Sequence, residues 1–167
     1  MEYYGIRGPA LNLFESYLSN RHQFVSLDGT SSRHLQITSG VPQGSILGPV
    51  LFLIYINYVY KSSNIFQFLF FADDTTLLLT APNFTTLMSL ANVELEKISQ
   101  WIIANKLSLN VSKSVYMIFR KNTKNTTSQD LKINSIQINQ SSTVKYLGIQ
   151  INEKLTWHNH ITTIEKN

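Results

Sequence analysis

Cysteine is absent from the 167 residues. Disulfide frameworks, thiolate zinc sites and cysteine nucleophiles are therefore excluded. Charge is also scarce: charged residues make up 14% of the chain, against 43% hydrophobic. So apolar a chain is not a disordered tail, and the low charge predicts that much of it is interior. No long uninterrupted apolar run occurs. The most membrane-like stretch, Ile46 to Tyr60, is broken by Gly48, Pro49 and Asn57. It is shorter than the roughly 20 residues a bilayer crossing needs. A buried core helix is expected there, and no membrane partner. The opening residues, Met1 to Pro9, lack a basic start followed by an apolar run. They do not read as a secretory signal, and an intracellular setting is expected.

Lysine and arginine exceed the acids by 14 − 10, a formal charge of +4. This excess is compatible with a polyanion partner but does not require one. Arg21, Arg33, Lys61, Lys113, Arg120, Lys121 and Lys124 carry much of it. The four histidines, His22, His34, His158 and His160, form no convincing ligand set. The length suits one domain.

Pro9 to Ser19 places Leu11, Phe14 and Leu18 at helical spacing, with Pro9 suited to a first turn. Phe24–Leu27 and Leu35–Ile37 read as short strands around a turn at Asp28-Gly29. Ser39 to Pro49 holds three glycines and two prolines and is expected to be a loop. A buried helix is expected over Val50–Val59. Ile65–Phe71 and Thr75–Thr80 are apolar and β-branched, so a hairpin is expected with its acidic turn between them. Thr85 to Leu107 shows apolar spacings of three and four, the pattern of an amphipathic helix. Val115–Phe119, Ile133–Ile138 and Val144–Ile151 read as strands, and Lys121–Asp130 as an exposed loop. Helices and antiparallel strands alternate without a βαβ rhythm, which predicts an α+β fold.

Asp73 and Asp74 are the strongest chemical signal. Adjacent carboxylates repel one another, and partial burial between apolar strands adds to the penalty. A hard divalent ion such as magnesium offsets both, and such ions are commonly held by one or two carboxylates plus substrate phosphates. The same dipeptide also reads as a solvated turn. The segment Ser39–Pro49 is the second signal. Its glycines permit close approach of backbone to a ligand, and the Gln43 amide offers both a donor and an acceptor. It equally reads as a structural loop entering a helix. Lys113 alone reads as a solvated cation.

Three segments stand in the order and approximate spacing of a polymerase palm: Ser39–Pro49, Phe71-Ala72-Asp73-Asp74, and Leu109-Asn110-Val111-Ser112-Lys113. With Tyr4-Gly5-Ile6-Arg7-Gly8, Tyr17-Leu18-Ser19-Asn20-Arg21, Tyr146-Leu147-Gly148 and Leu155-Thr156-Trp157, the chain resembles reverse transcriptases of non-LTR (LINE/jockey-like) retrotransposons. The resemblance implies an α+β partial polymerase palm over residues 1–167: an antiparallel sheet with a catalytic-type β-hairpin packed on helices. It implies an RNA-directed DNA polymerase working by two-magnesium nucleotidyl transfer, with an RNA template, a DNA primer strand and dNTP as partners and magnesium or manganese as cofactor. Asp73 then ligates the catalytic ions with Asp74 as its less exacting partner. Gly40, Pro42, Gln43 and Gly44 lie beside the template and incoming nucleotide. Phe71 and Ala72 pack the hairpin and set the entry to the site. Lys113 approaches the nucleotide's phosphates.

The resemblance also places an upstream metal-binding Asp, fingers and a thumb outside these residues, and an Asp in many relatives where Tyr58 follows Asn57. The chain alone is therefore expected to be inactive. A non-catalytic nucleic-acid-binding or self-associating remnant is the other reading. A third is a palm sheet too incomplete to fold stably.

Overall fold

A computed structural model describes residues 1–42, 44–120 and 130–165. The chain divides into two compact units, Met1–Ile56 and Asn57–Asn167. Both combine helices with small two-stranded sheets, an α+β organisation.

In the first unit, helix α1 spans Pro9–Leu18. Pro9 opens it, where a missing N–H leaves nothing unpaired. The Ser19 N–H closes it by donating to Glu15 O at 2.9 Å. A hairpin follows in two short ladders. Strand β1 (His22–Gln23) lies nearest α1, β2 (Ser26–Leu27) and β3 (Thr30–Ser31) flank the turn, and β4 (Leu35–Gln36) returns to pair with β1. Asp28 (φ 47°) and Gly29 (φ 80°) are both left-handed, as a two-residue turn matched to strand twist requires. Between the ladders the register slips by one. Residues 24–25 oppose residues 32–34, so the strand carrying Arg33 bulges.

Helix α2 spans Leu47–Ile56, so it starts ahead of the expected Val50. The reason is a cap: Ser45 Oγ accepts the Gly48 N–H at 3.0 Å. The expectation of a buried helix is not met. Among the described residues of this unit only Gly48 and Leu51 are buried, while Val50, Leu53 and Tyr55 are half-exposed. A helix that is apolar all round needs cover on every side, and these short strands supply little.

The second unit opens with a 3-10 turn, Val59–Ser62. The expected hairpin follows as β5 (Gln67–Phe71) and β6 (Asp74–Leu78), antiparallel with Phe71 opposite Asp74. Helix α3 (Phe84–Ala104) is capped by Asn83, whose Oδ1 accepts the Thr86 N–H at 2.9 Å. Beyond it lie β7 (Val115–Tyr116), β8 (Lys132–Ile133), β9 (Ile136–Gln137), β10 (Asn139–Gln140), β11 (Thr143–Tyr146), β12 (Ile149–Asn152) and helix α4 (His158–Glu165). Strand β7 pairs with β10 in parallel. The segments Ile133–Ile138 and Val144–Ile151, expected as single strands, contain tight turns instead. The chain reverses at Asn134 (φ 51°)-Ser135 (φ 64°) and at Leu147 (φ 47°)-Gly148 (φ 88°). Most of the Lys121–Asp130 segment lies outside the described residues.

The core belongs to this unit. Met88, Ala91 and Leu95 form the buried stripe of α3, facing Ile118, Leu131, Ile133 and Ile138. Phe66, Leu77, Leu79, Phe84, Val111 and Tyr116 pack on the same cluster. Two polar clips fix β8 and its turn to the helix. Asn92 donates to Asp130 O at 3.1 Å and accepts the Lys132 N–H at 2.9 Å. The buried Ser99 donates to Asn134 Oδ1. Among the described residues no helix is long and apolar enough to cross a membrane.

One buried charge joins the stripe. Glu94 is 3% exposed and accepts from Lys97 Nζ at 2.5 Å, while its Oε2 is sealed without a hydrogen-bond partner of good geometry. The Lys97 ammonium, and next the Ser63 hydroxyl beside it, hold the carboxyl below its ordinary value; burial pushes weakly the other way.

Two predictions follow from this core. Met88→Ala, at a site 1% exposed, should lose about 2–5 kcal/mol of stability in a denaturant titration. For Glu94, the folded-state value lies below the unfolded one. Its contribution is thus complete above the ordinary 4.5 and disappears as pH falls below that, through the lowered value. Thermal melts in this acid window should decline steeply for the wild type and less steeply for Glu94→Gln.

Candidate functional site

The base of the hairpin is apolar and its tip is polar. Phe68 faces Leu77 across the strands, and Phe68 and Phe70 stack at 5.9 Å between centroids. The loop is the dipeptide Ala72-Asp73, since Phe71 and Asp74 already pair. The turn needs a left-handed residue, and Asp would tolerate that conformation. Ala72 takes it instead, at φ 50°, an alanine in a conformation that Cβ disfavours. Phe71 is 58% exposed and so adds little to packing.

Asp73 and Asp74 are both exposed, so the expected burial penalty is absent. Among the described residues, neither carboxylate takes a side-chain hydrogen bond or an ion pair. The tip therefore displays two adjacent, uncommitted sets of hard oxygen donors, a chemistry that suits magnesium or manganese. Among the described residues no group of three or more His, Asp or Glu side chains could hold a metal.

Lys113 ends a 3-10 turn, Val111–Lys113. Asn110 fixes that turn, its Oδ1 accepting the Lys113 N–H at 3.3 Å and the Ser112 hydroxyl at 2.7 Å. The Lys113 ammonium is exposed. Val111, two residues ahead, packs on the same core cluster as Leu77 of β6. The acidic tip and the lysine turn thus rest on one foundation. Beside the lysine, Ser108–Ser112 line an open cleft of about 580 Å³ with Ile136, Gln137 and Asn139.

The glycine-rich segment belongs to the first unit. Gly40 (φ 79°) and Gly44 (φ 75°) are left-handed, where a side chain is strained and glycine is not. Ser45 Oγ donates to Pro42 O at 2.8 Å while capping α2. Gln43 lies outside the described residues. Arg21, read from sequence as a phosphate-facing cation, is engaged elsewhere: its Nε donates to Leu18 O at 3.1 Å and its Nη2 to Gly40 O at 2.6 Å. Sequence reading had no signal for that contact beyond a long donor side chain following a helix end. His158 and His160 lie on α4. His160 Nδ1 accepts the Gln150 N–H at 3.4 Å.

The left-handed alanine generates a prediction. Ala72→Gly should relieve the tip and raise stability by about 0.5–1 kcal/mol. Denaturant midpoints of the two proteins check this.

Residues 4–151 match the family model described as reverse transcriptase (RNA-dependent DNA polymerase). The chain is 29% identical over 159 residues to the RNA-directed DNA polymerase from mobile element jockey of Drosophila melanogaster, covering 91% of this chain and 17% of that protein. It is 28% identical over 163 residues to the probable RNA-directed DNA polymerase from transposon X-element of the same species, covering 93% and 17%. It is 26% identical over 160 residues to the corresponding protein of transposon BS, covering 92% and 18%. The chain spans about a sixth of the length of these curated relatives. No solved structure matches it. With 148 consecutive residues from 4 to 151 under one family model and non-LTR mobile-element polymerases as its relatives, the chain belongs to the reverse transcriptase (RNA-dependent DNA polymerase) family.

Proposed function

We propose that these residues are part of the palm of a non-LTR retrotransposon polymerase that copies RNA into DNA. The observation that carries the reading is the uncommitted Asp73-Asp74 pair at the tip of a hairpin whose base is fixed in the core. Asp73 and Asp74 hold the divalent ions; when bound, those ions neutralise charge on the attacking and leaving oxygens of nucleotidyl transfer. Lys113 presents its ammonium to the phosphates of the incoming dNTP. Gly40, Pro42, Gln43 and Gly44 lie along the template strand, where glycine lets main chain come close to sugar and phosphate. Phe71 and Ala72 border the entry. RNA template and DNA primer are the partners, with dNTP as substrate.

Two adjacent carboxylates are thin support for two divalent ions, each of which would want several oxygens. The chain by itself is therefore inactive in this reading, and its remaining ligands come from other parts of a longer polymerase. A non-catalytic nucleic-acid-binding remnant is the second reading. The formal charge of +4 and the exposed aromatic residues are compatible with it.

Primer extension on an RNA template, with the purified chain, magnesium and dNTPs, tests the first reading. No template-dependent incorporation is expected from the chain alone. Incorporation that disappears in Asp73→Asn overturns the claim of inactivity. To separate the two readings, these 167 residues are placed in a full-length relative in exchange for its matching segment. Extension lost on Asp73→Asn supports the palm; extension that survives the substitution leaves the remnant.

A further inference from the structure

Arg21 carries a contact that neither the family match nor the proposed chemistry assigns. Its guanidinium bridges two carbonyls nineteen and three residues away in sequence, Gly40 O at 2.6 Å and Leu18 O at 3.1 Å. Leu18 ends α1, where carbonyls lack helical partners and favour a cation. Gly40 begins the glycine-rich loop and is left-handed at φ 79°. One side chain therefore ties the loop to the end of a helix. The loop's other tether is Ser45, which holds Pro42 O at 2.8 Å.

The consequence lies in the peptide plane. A trans peptide sets the carbonyl of one residue and the N–H of the next in opposite directions. With the Gly40 carbonyl turned to Arg21, the Val41 N–H is turned the other way. No hydrogen bond from that N–H occurs among the described residues. We infer that Arg21 is a positioning residue for the glycine-rich loop: it fixes the Gly40–Val41 peptide so that the Val41 N–H is offered to a phosphate oxygen of a nucleic-acid strand. The inference rests on the proposed reading of this loop as the template-side segment. It reverses the role expected for Arg21, since a guanidinium committed to two carbonyls is not a free phosphate ligand. The planar fork spans two acceptors at once; a lysine ammonium is a single point.

The test uses the full chain with Arg21→Gln and Arg21→Lys, an RNA–DNA duplex as probe, and fluorescence anisotropy over a salt series. Amide exchange of residues 40–46 is followed in parallel, with α1 as the internal reference for folding. Both variants should bind about tenfold more weakly, the worth of one charge-assisted hydrogen bond. The slope of log affinity against log salt should stay unchanged, and exchange should rise at Val41 but not in α1. In the wild type, the Arg21 Nε–H should give a slowly exchanging resonance. A slope lowered by about 0.9 in Arg21→Gln, the signature of one lost phosphate contact, overturns the inference. So does full retention of affinity in Arg21→Lys. If the wild type does not bind the duplex, the proposed function fails. Exchange then decides the positioning role alone: faster exchange at Val41 supports it, and unchanged exchange overturns it.

Discussion

The buried stripe of α3 is the contact on which the acidic tip depends. Met88, Ala91 and Leu95 belong to one buried cluster with Ile118, Leu131, Ile133 and Ile138, and Phe66, Leu77, Leu79, Val111 and Tyr116 pack against that cluster. A two-stranded hairpin is marginal in water by itself. Its apolar base must be covered before its tip can keep a position. Val111, at the start of the turn that carries Lys113, packs on the same cluster. Packing in a close-packed interior is a shared constraint, so a change at Met88 reaches the acids and the lysine together. Asn92 and Ser99 add direction to this packing, because a hydrogen bond fixes register where apolar contact alone permits sliding.

The tip itself runs against local preference. Two like charges stand side by side, and the residue beside them is an alanine held left-handed. Neither feature helps folding. Strain of this kind persists where the surroundings over-determine it, and here the β5–β6 ladder does so. Five cross-strand pairs, from Gln67 opposite Leu78 to Phe71 opposite Asp74, leave only Ala72 and Asp73 for the turn. The short loop gives the backbone beneath the two carboxylates little freedom.

Much of this was readable from the sequence. The three-and-four spacing found α3, Pro9 found the start of α1, and the two apolar runs found the hairpin with its acids at the bend. Periodicity failed where turns were written in residues that do not announce them. Asn134-Ser135 and Leu147-Gly148 sit inside apolar runs, so each hairpin looked like one strand. The α2 reading failed for another reason. A buried helix was expected, but composition does not say whether neighbouring elements can cover it. At the tip, the identity of the acids was plain, whereas the residue taking the strained angle was not. Asp73 and Asp74 were expected to be partly buried, and they are exposed. Strand patterns tell which face a residue shares, not how far the sheet extends over it.

The two units hold their candidate site residues by different physics. In the second, position comes from many apolar contacts, each small and mutually supporting. In the first, buried residues are few, with Gly48 and Leu51 alone among those described. Its loop is held by discrete polar ties: Arg21 to Gly40 and Leu18, Ser45 to Pro42 and Gly48. Distributed packing degrades gradually, since neighbours relax around a lost methyl group. A tie made by one side chain is lost whole when that side chain goes. The acidic hairpin should therefore tolerate conservative changes beneath it, while the conformation of the glycine-rich loop should be sensitive to single polar residues. This asymmetry follows from where the apolar surface is buried.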